Sequence, residues 1–423
     1  MTAVLHRGRR FLHSPDSPQR AGLRCTPVAL SASKSMLITR GMRAVGDGIM
    51  AATLTPLLLS RGFNGRTVGL ITTATLLGSA FNLVLVSRFP AVARPQRVLV
   101  VMSVLMAATG LTFAITGTLG ALLAISIIGP LNPSSGDVSP FLPAEQTIVS
   151  AAAEGSARTR ALARFALVAS GGAAIGAFAS GLIARTGRSL GFTATNGTAF
   201  SALLYALIGL AVIPVYMMTL RQPQPTSVHT PSRLGPSRRL IRQLTAVFAL
   251  DSAGGGMVVN TLVALWLQRR FDFTLGKIGA VLGLMSLASA ASALLAPKLS
   301  ARFGLVETMA LTHAPANVLV IAAAFAPNAQ IAVMCLGLRA LVSQLDVPPR
   351  VAFVMSIVEP EERSAAAAFT NLPRSIATAS TPLLGGWLLT KSTFGWPLVI
   401  GGSLKLAYDA LLWIKFRRYS QRL

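Results

Sequence analysis

The sequence predicts an all-α membrane protein, twelve transmembrane helices arranged as two six-helix pseudo-repeats. Three observations predict it. The 423 residues are 52% hydrophobic and only 12% charged, with a mean hydropathy of +0.62, too apolar for a chain folded in water. Apolar runs of about 20 residues, enough at the helical rise to cross a hydrocarbon core of about 30 Å, recur along the chain. The pattern also repeats: "GDVSP" (Gly136 to Pro140) returns as "LDVPP" (Leu345 to Pro349), "TVGL" at Thr67 as "KIGA" at Lys277, and "SRF" ending at Phe89 as "ARF" ending at Phe303.

Residues 1–36 are Arg- and Ser-rich with a single acid, Asp16. They read as a basic, disordered cytoplasmic extension, which fits better than an organelle transit peptide; no apolar region leads to a small-residue cleavage site, so a secretory signal is not expected. The first bundle covers 37–220, with spans near 37–60, 67–87, 98–117, 119–148, 159–184 and 196–219. The first span sets Asp47 between two glycines, the fourth carries Asp137 and Pro140, and the fifth, "SGGAAIGAFASG" (Ser170 to Gly181), has small residues at a spacing that lets helices pack closely. Residues 221–242, opening with "RQPQPTSVHTPSRLGPSRR", are rich in Pro, Ser and Arg and read as a cytoplasmic linker. The second bundle covers 243–416, with spans near 243–267, 275–297, 305–326, 329–357, 364–390 and 394–415, and 417–423 form a basic tail.

Net charge is +25, with 13 acids against 38 Lys and Arg. Placing both termini in the cytoplasm puts about 26 of those cations inside and about 8 outside, as the positive-inside rule requires. Charge spread over inner loops and tails, with no groove-reading motif, excludes nucleic acid as a partner. Trp266, Trp387, Trp396 and Trp413 all fall near expected span ends, where amphipathic rings sit at headgroup level. Cys25 and Cys335 are far apart and match no metal or redox spacing. No catalytic constellation or phosphate loop is present, so neither an enzyme, a cofactor nor a metal is expected.

Twelve spans as six plus six, a long central linker and this duplication resemble the major facilitator superfamily over nearly everything after residue 36. A bacterial branch of that superfamily is resembled more narrowly through "VGDG" (Val45 to Gly48), "GDVSPFLPAEQ" (Gly136 to Gln146), "LDSAGGG" (Leu250 to Gly256), "LDVPPR" (Leu345 to Arg350) and "FGWP" (Phe394 to Pro397), which name no cargo. The resemblance implies a monomeric carrier in the bacterial inner membrane, rocking two bundles about a central cavity. The superfamily's acidic loop motif is poorly kept: Ser87 and Pro90 stand where an acid and a glycine belong, and Ala301 replaces the acid in the second half although Arg302 and Gly304 remain. The fifth span also lacks the Gly-Pro pair that the superfamily's antiporters often show.

Ionised side chains cost a few kcal/mol at membrane depth, so intramembrane acids are expected to face a partner or an aqueous cavity. Asp137, Asp47, Asp251 and Asp346 are the candidates for coupling a proton or holding substrate, Asp137 first because its neighbours offer no obvious counter-charge. Asp346 has two candidate partners, Arg374 at similar depth in the next span and Arg350 four residues on. In the first half Phe141 takes the place of Arg350, and Arg164 is nearest in depth to Glu145. Lys405 and Asp409 sit four apart and are expected to pair, and His313 reads as a satisfied core residue. Pro140 and Pro349 should bend their helices beside an aspartate, and Gly254, Gly255 and Gly256 should weaken theirs, making hinge candidates. Together these features point to a secondary transporter exporting a small amphipathic or cationic compound in exchange for protons. Proton-symport uptake and a non-transporting membrane sensor with a carrier fold are the alternatives.

Overall fold

The computed structural model describes residues 27–88, 95–132, 139–151, 155–191, 194–220, 235–359 and 362–420. Among these, sixteen α-helices carry the chain: α1 Pro27–Ser60, α2 Gly65–Arg88, α3 Pro95–Ile115, α4 Leu119–Ile128, α5 Leu142–Ala151, α6 Gly155–Ser189, α7 Ala194–Leu220, α8 Arg238–Met257, α9 Asn260–Phe271, α10 Leu275–Phe303, α11 Leu305–Phe325, α12 Ala329–Val342, α13 Val347–Ser356, α14 Arg363–Ser380, α15 Pro382–Lys391 and α16 Trp396–Ser420. Eight segments are long and apolar enough to cross a membrane by length and composition. Large apolar side chains such as Phe81, Ile115, Leu182, Phe325 and Ile414 are exposed, as a lipid-facing surface requires. α1 starts at Pro27, inside the segment expected to be a disordered extension, and α8 starts at Arg238, inside the expected linker.

Four expected spans are interrupted, each at a chemically legible place. α4 stops at Gly129, whose extended backbone (φ −79°, ψ 158°) is what the following Pro130 demands of its predecessor. α8 gives way to α9 at Val258 and Val259, directly after the three glycines. α12 and α13 part before Pro348 and Pro349, and α14 and α15 part before Pro382. Pro348, Pro349 and Pro382 sit at helix starts, where a missing N–H costs nothing.

Within the first bundle α1 packs on α6 and α3 on α7; within the second α11 packs on α16 and α14 on α8. The bundles meet where α6 faces α10 and where α2 faces α14 and α15. Backbones touch along these seams: a Cβ on Gly386 would overlap Gly65 O, one on Gly69 would overlap Pro382 O, and one on Gly181 would lie 2.6 Å from Gly276 Cα. Thr55 Oγ1 donates to Thr261 O at 2.8 Å, and Leu383 N to Thr73 Oγ1 at 3.0 Å. The small-residue stripe of α6 does pack closely, since Gly172 and Gly176 lie against the α1 backbone at Gly41 and Val45.

Two tryptophans, Trp387 and Trp396, are exposed near helix ends, but Trp266 is fully buried edge-on to Phe271, because α9 is buried from Thr261 to Leu267 and only its last turn reaches the surface.

Candidate functional site

Both bundles line one cavity of about 450 Å³. From α1 it receives Arg40, Ala44 and Asp47, spaced so that they share a helix face. Arg43 lies off that face. Its Nη2 donates to Glu145 Oε2 at 2.6 Å, and its guanidinium stacks 3.6 Å above the centre of the Phe141 ring. Glu145 is fully buried and also accepts from Tyr216 Oη at 2.8 Å, while Arg40 Nη1 stands 4.0 Å away. A buried carboxylate is tolerable only when so compensated. Arg164, the partner expected for Glu145, is exposed on α6; depth in an α5–α6 hairpin could not show that α1 supplies the cation.

Asp47 is treated differently by its surroundings. It is 8% exposed, faces the cavity, and makes no hydrogen bond or ion pair among the described residues. Asp137 lies outside the described residues.

The second bundle holds a denser array. Lys405 Nζ donates to Asp251 Oδ1 at 2.6 Å, Arg350 Nη1 stands 3.6 Å from Asp251 Oδ2, and Arg350 Nη2 also bonds Asp346. Of the two partners expected for Asp346, Arg350 is thus in contact, while Arg374 donates to Ser252 Oγ at 3.2 Å and lies 5.9 Å over the Phe248 ring. His313 Nδ1 donates to Asp409 Oδ1 at 2.8 Å, its Nε2 stands 3.5 Å from Asp251 Oδ1, and Asn317 Nδ2 donates to Asp409 Oδ2 at 3.0 Å. The expected Lys405–Asp409 pair is therefore replaced: the two side chains leave α16 toward different helices, Lys405 to α8 and Asp409 to α11. Protonated on both nitrogens, His313 links the two carboxylates; with one proton it serves only one. Asp251, His313, Asp346, Arg350, Arg374 and Lys405 line the cavity, and Asp409 lies behind them.

The hinge candidates divide. Gly254 and Gly256 lie where helices approach: a Cβ on Gly254 would be 2.6 Å from Gly401 O, and one on Gly256 would overlap Thr378 O. Gly255 faces the cavity. Pro140 lies in the turn before α5, and Pro349 is buried in the first turn of α13, so both stand where a new helix begins, not at a bend within one.

Sequence reasoning missed Arg40, Arg43, Arg339 and the role of His313. Two cations three residues apart on the first span were the available signal for Arg40 and Arg43, and a lone intramembrane arginine the signal for Arg339; His313 had none, since its partners come from α8 and α16.

Two overlapping matches to the Major Facilitator Superfamily profile cover residues 36–343 and 244–422. The chain belongs to that superfamily. Members share the all-helical carrier architecture seen here, so the protein is a multi-pass membrane transporter. It is 22% identical over 406 residues to the uncharacterised membrane protein YJR124C of Saccharomyces cerevisiae, covering 88% of this chain and 91% of that one. The fold superposes on the nucleoside transporter NupG with a TM-score of 0.71 at 12% identity, covering 91% of this chain and 99% of that one. It superposes likewise on a bacterial homologue of the human lysosomal transporter Spinster, inward-facing and unoccupied, with a TM-score of 0.70 at 12% identity over 94% of this chain and 98% of that one.

Proposed function

We propose that this superfamily member is a proton-coupled secondary transporter, acting as a monomer by alternating access, with all twelve expected spans crossing a bacterial inner membrane and both termini in the cytoplasm. The observation that carries the coupling is Asp47, a buried carboxylate with no hydrogen bond or ion pair among the described residues, facing the cavity that both bundles line. Such a group can exchange a proton with the cavity, and the Asp251–His313–Asp409 array across the cavity supplies a second place to hold one. The distribution of Lys and Arg supports the orientation, and the motif resemblance supports a bacterial membrane.

Everted vesicles energised to an acid interior test this reading with a panel of charged and neutral small compounds. Wild type should shift the lumenal pH with at least one of them, upward for exchange and downward for symport. Asp47→Asn should not, yet should still exchange labelled for unlabelled compound without a gradient. Folded wild-type protein that shifts the lumenal pH in neither direction with any of them would remove proton coupling and leave the sensor reading.

A further inference from the structure

The cavity wall holds two guanidiniums with donors to spare, one in each bundle. Arg40 Nε and Nη1 are buried without a hydrogen bond, and the carboxylate nearest to Arg40, Glu145, is already held by Arg43 at 2.6 Å. Arg339 of α12 lines the same cavity with no hydrogen bond or ion pair among the described residues. The unmet donors of Arg40 lie buried, where they are costly unless a ligand meets them, while Arg339 is half-buried and open to the cavity. The charges point the same way. Among the described residues the lining has five cations, Arg40, Arg339, Arg350, Arg374 and Lys405, against three carboxylates, Asp47, Asp251 and Asp346. Two of those carboxylates are occupied by Lys405 and Arg350. The intramembrane acids of the second bundle, which in the sequence favoured a cationic cargo, are thus tied to cations of the protein itself.

We propose that the cavity binds a small organic anion, its carboxylate or phosphate group recognised by Arg40 of the first bundle and Arg339 of the second. A planar guanidinium fork matches two anionic oxygens. The apolar part of the ligand would lie against Phe165, Ala169 and Val259, and about 450 Å³ suits a metabolite-sized molecule.

The proposal rests on the proton-coupled reading above and deepens it. Asp47 lies seven residues from Arg40 on the same face of α1, and the charged and titratable groups that act on it are Arg40 and Arg43 of α1, Glu145 of α5 and Tyr205 of α7. A proton on Asp47 removes the negative charge that competes with the ligand for Arg40, so anion and proton bind together and travel in the same direction.

Purified full-length protein tests this with benzoate, succinate and glycerol 3-phosphate as probes, and choline and glucose as comparators, measured by calorimetry. At least one anion should bind; a carboxylate–phosphate preference then identifies the oxygen group. Arg339→Gln and Arg40→Gln should each weaken that binding by about tenfold or more, and Arg339→Lys by less. Binding of choline or glucose with no anion bound, no anion bound by folded protein, or anion affinity unchanged in Arg339→Gln would each overturn the site. In liposomes with an entrapped pH dye, addition of the bound anion should acidify the lumen. Anion uptake without acidification would remove proton coupling and leave the anion site standing, so the two failures are distinguishable.

Discussion

Lys405 and Asp251 form a pair that no sequence separation reveals, 154 residues apart and 2.6 Å between charged atoms. Replacing Lys405 with Met leaves Asp251 buried beside a more distant Arg350 and His313, and breaking such a pair costs about 3–5 kcal/mol. Lys405→Met should therefore lower the thermal midpoint of the purified protein well below wild type, and adding Asp251→Asn should restore much of the loss. Equal midpoints for wild type and Lys405→Met would show that the pair is not structural. At this scale the sequence named most of the charged residues and mispaired several. Asp251 and Asp346 were legible as acids needing partners, because charge at membrane depth is costly wherever the chain goes. The partners of Asp409 and Glu145 were not, because spacing along one helix or one hairpin is silent about a third helix. In the first bundle Arg43 of α1 stacks on Phe141 before α5, whereas in the second Arg350 of α13 lies 5.7 Å over Phe248 of α8; arginine and aromatic have exchanged places between the repeats.

At the scale of elements, helix starts and stops followed local chemistry closely. Pro130, Pro348, Pro349 and Pro382 mark breaks because proline restricts the residue before it and donates no hydrogen bond. The expectation of bent helices underestimated this, and interruption is the outcome. The start of α8 is tied to the loop before α14 through Glu362, which accepts from the backbone N–H of Gly235. Hydrogen bonds from the Ser237 side chain, and from the Gly235 and Ser237 backbone, hold the Glu362 carboxyl below its ordinary value of 4.5. A carboxyl lowered on folding contributes above its unfolded value, and the contribution is lost as pH falls through the folded one. Amide exchange protection at Gly235 and Ser237 should thus be full near neutrality and decline in acid below the ordinary glutamate range. Glu362→Gln should show low protection that varies little with pH; protection in the variant equal to wild type at neutral pH would refute the tie.

For the whole molecule, the bundles meet backbone to backbone where α2 lies against α14 and α15. Gly65, Gly69 and Gly386 let two backbones touch, and a side chain at Gly386 would strike Gly65 O. Gly386→Val should part the bundles along that seam, so spin labels at Arg66→Cys and Lys391→Cys should report a longer distance than in the Gly386 parent. An unchanged distance would show that the seam does not hold the bundles together. By itself the sequence determined the membrane class, the all-helical superfamily fold and the acids that must find company, because apolar length and charge cost act locally and in any fold. Only the tertiary structure decided that Arg43 takes Glu145, that Lys405 and His313 share Asp251, that Trp266 is core, and that Arg40 and Arg339 face one cavity. Those outcomes depend on which helix stands beside which, and in a bundle of this kind neighbours are set by packing between helices far apart in the chain.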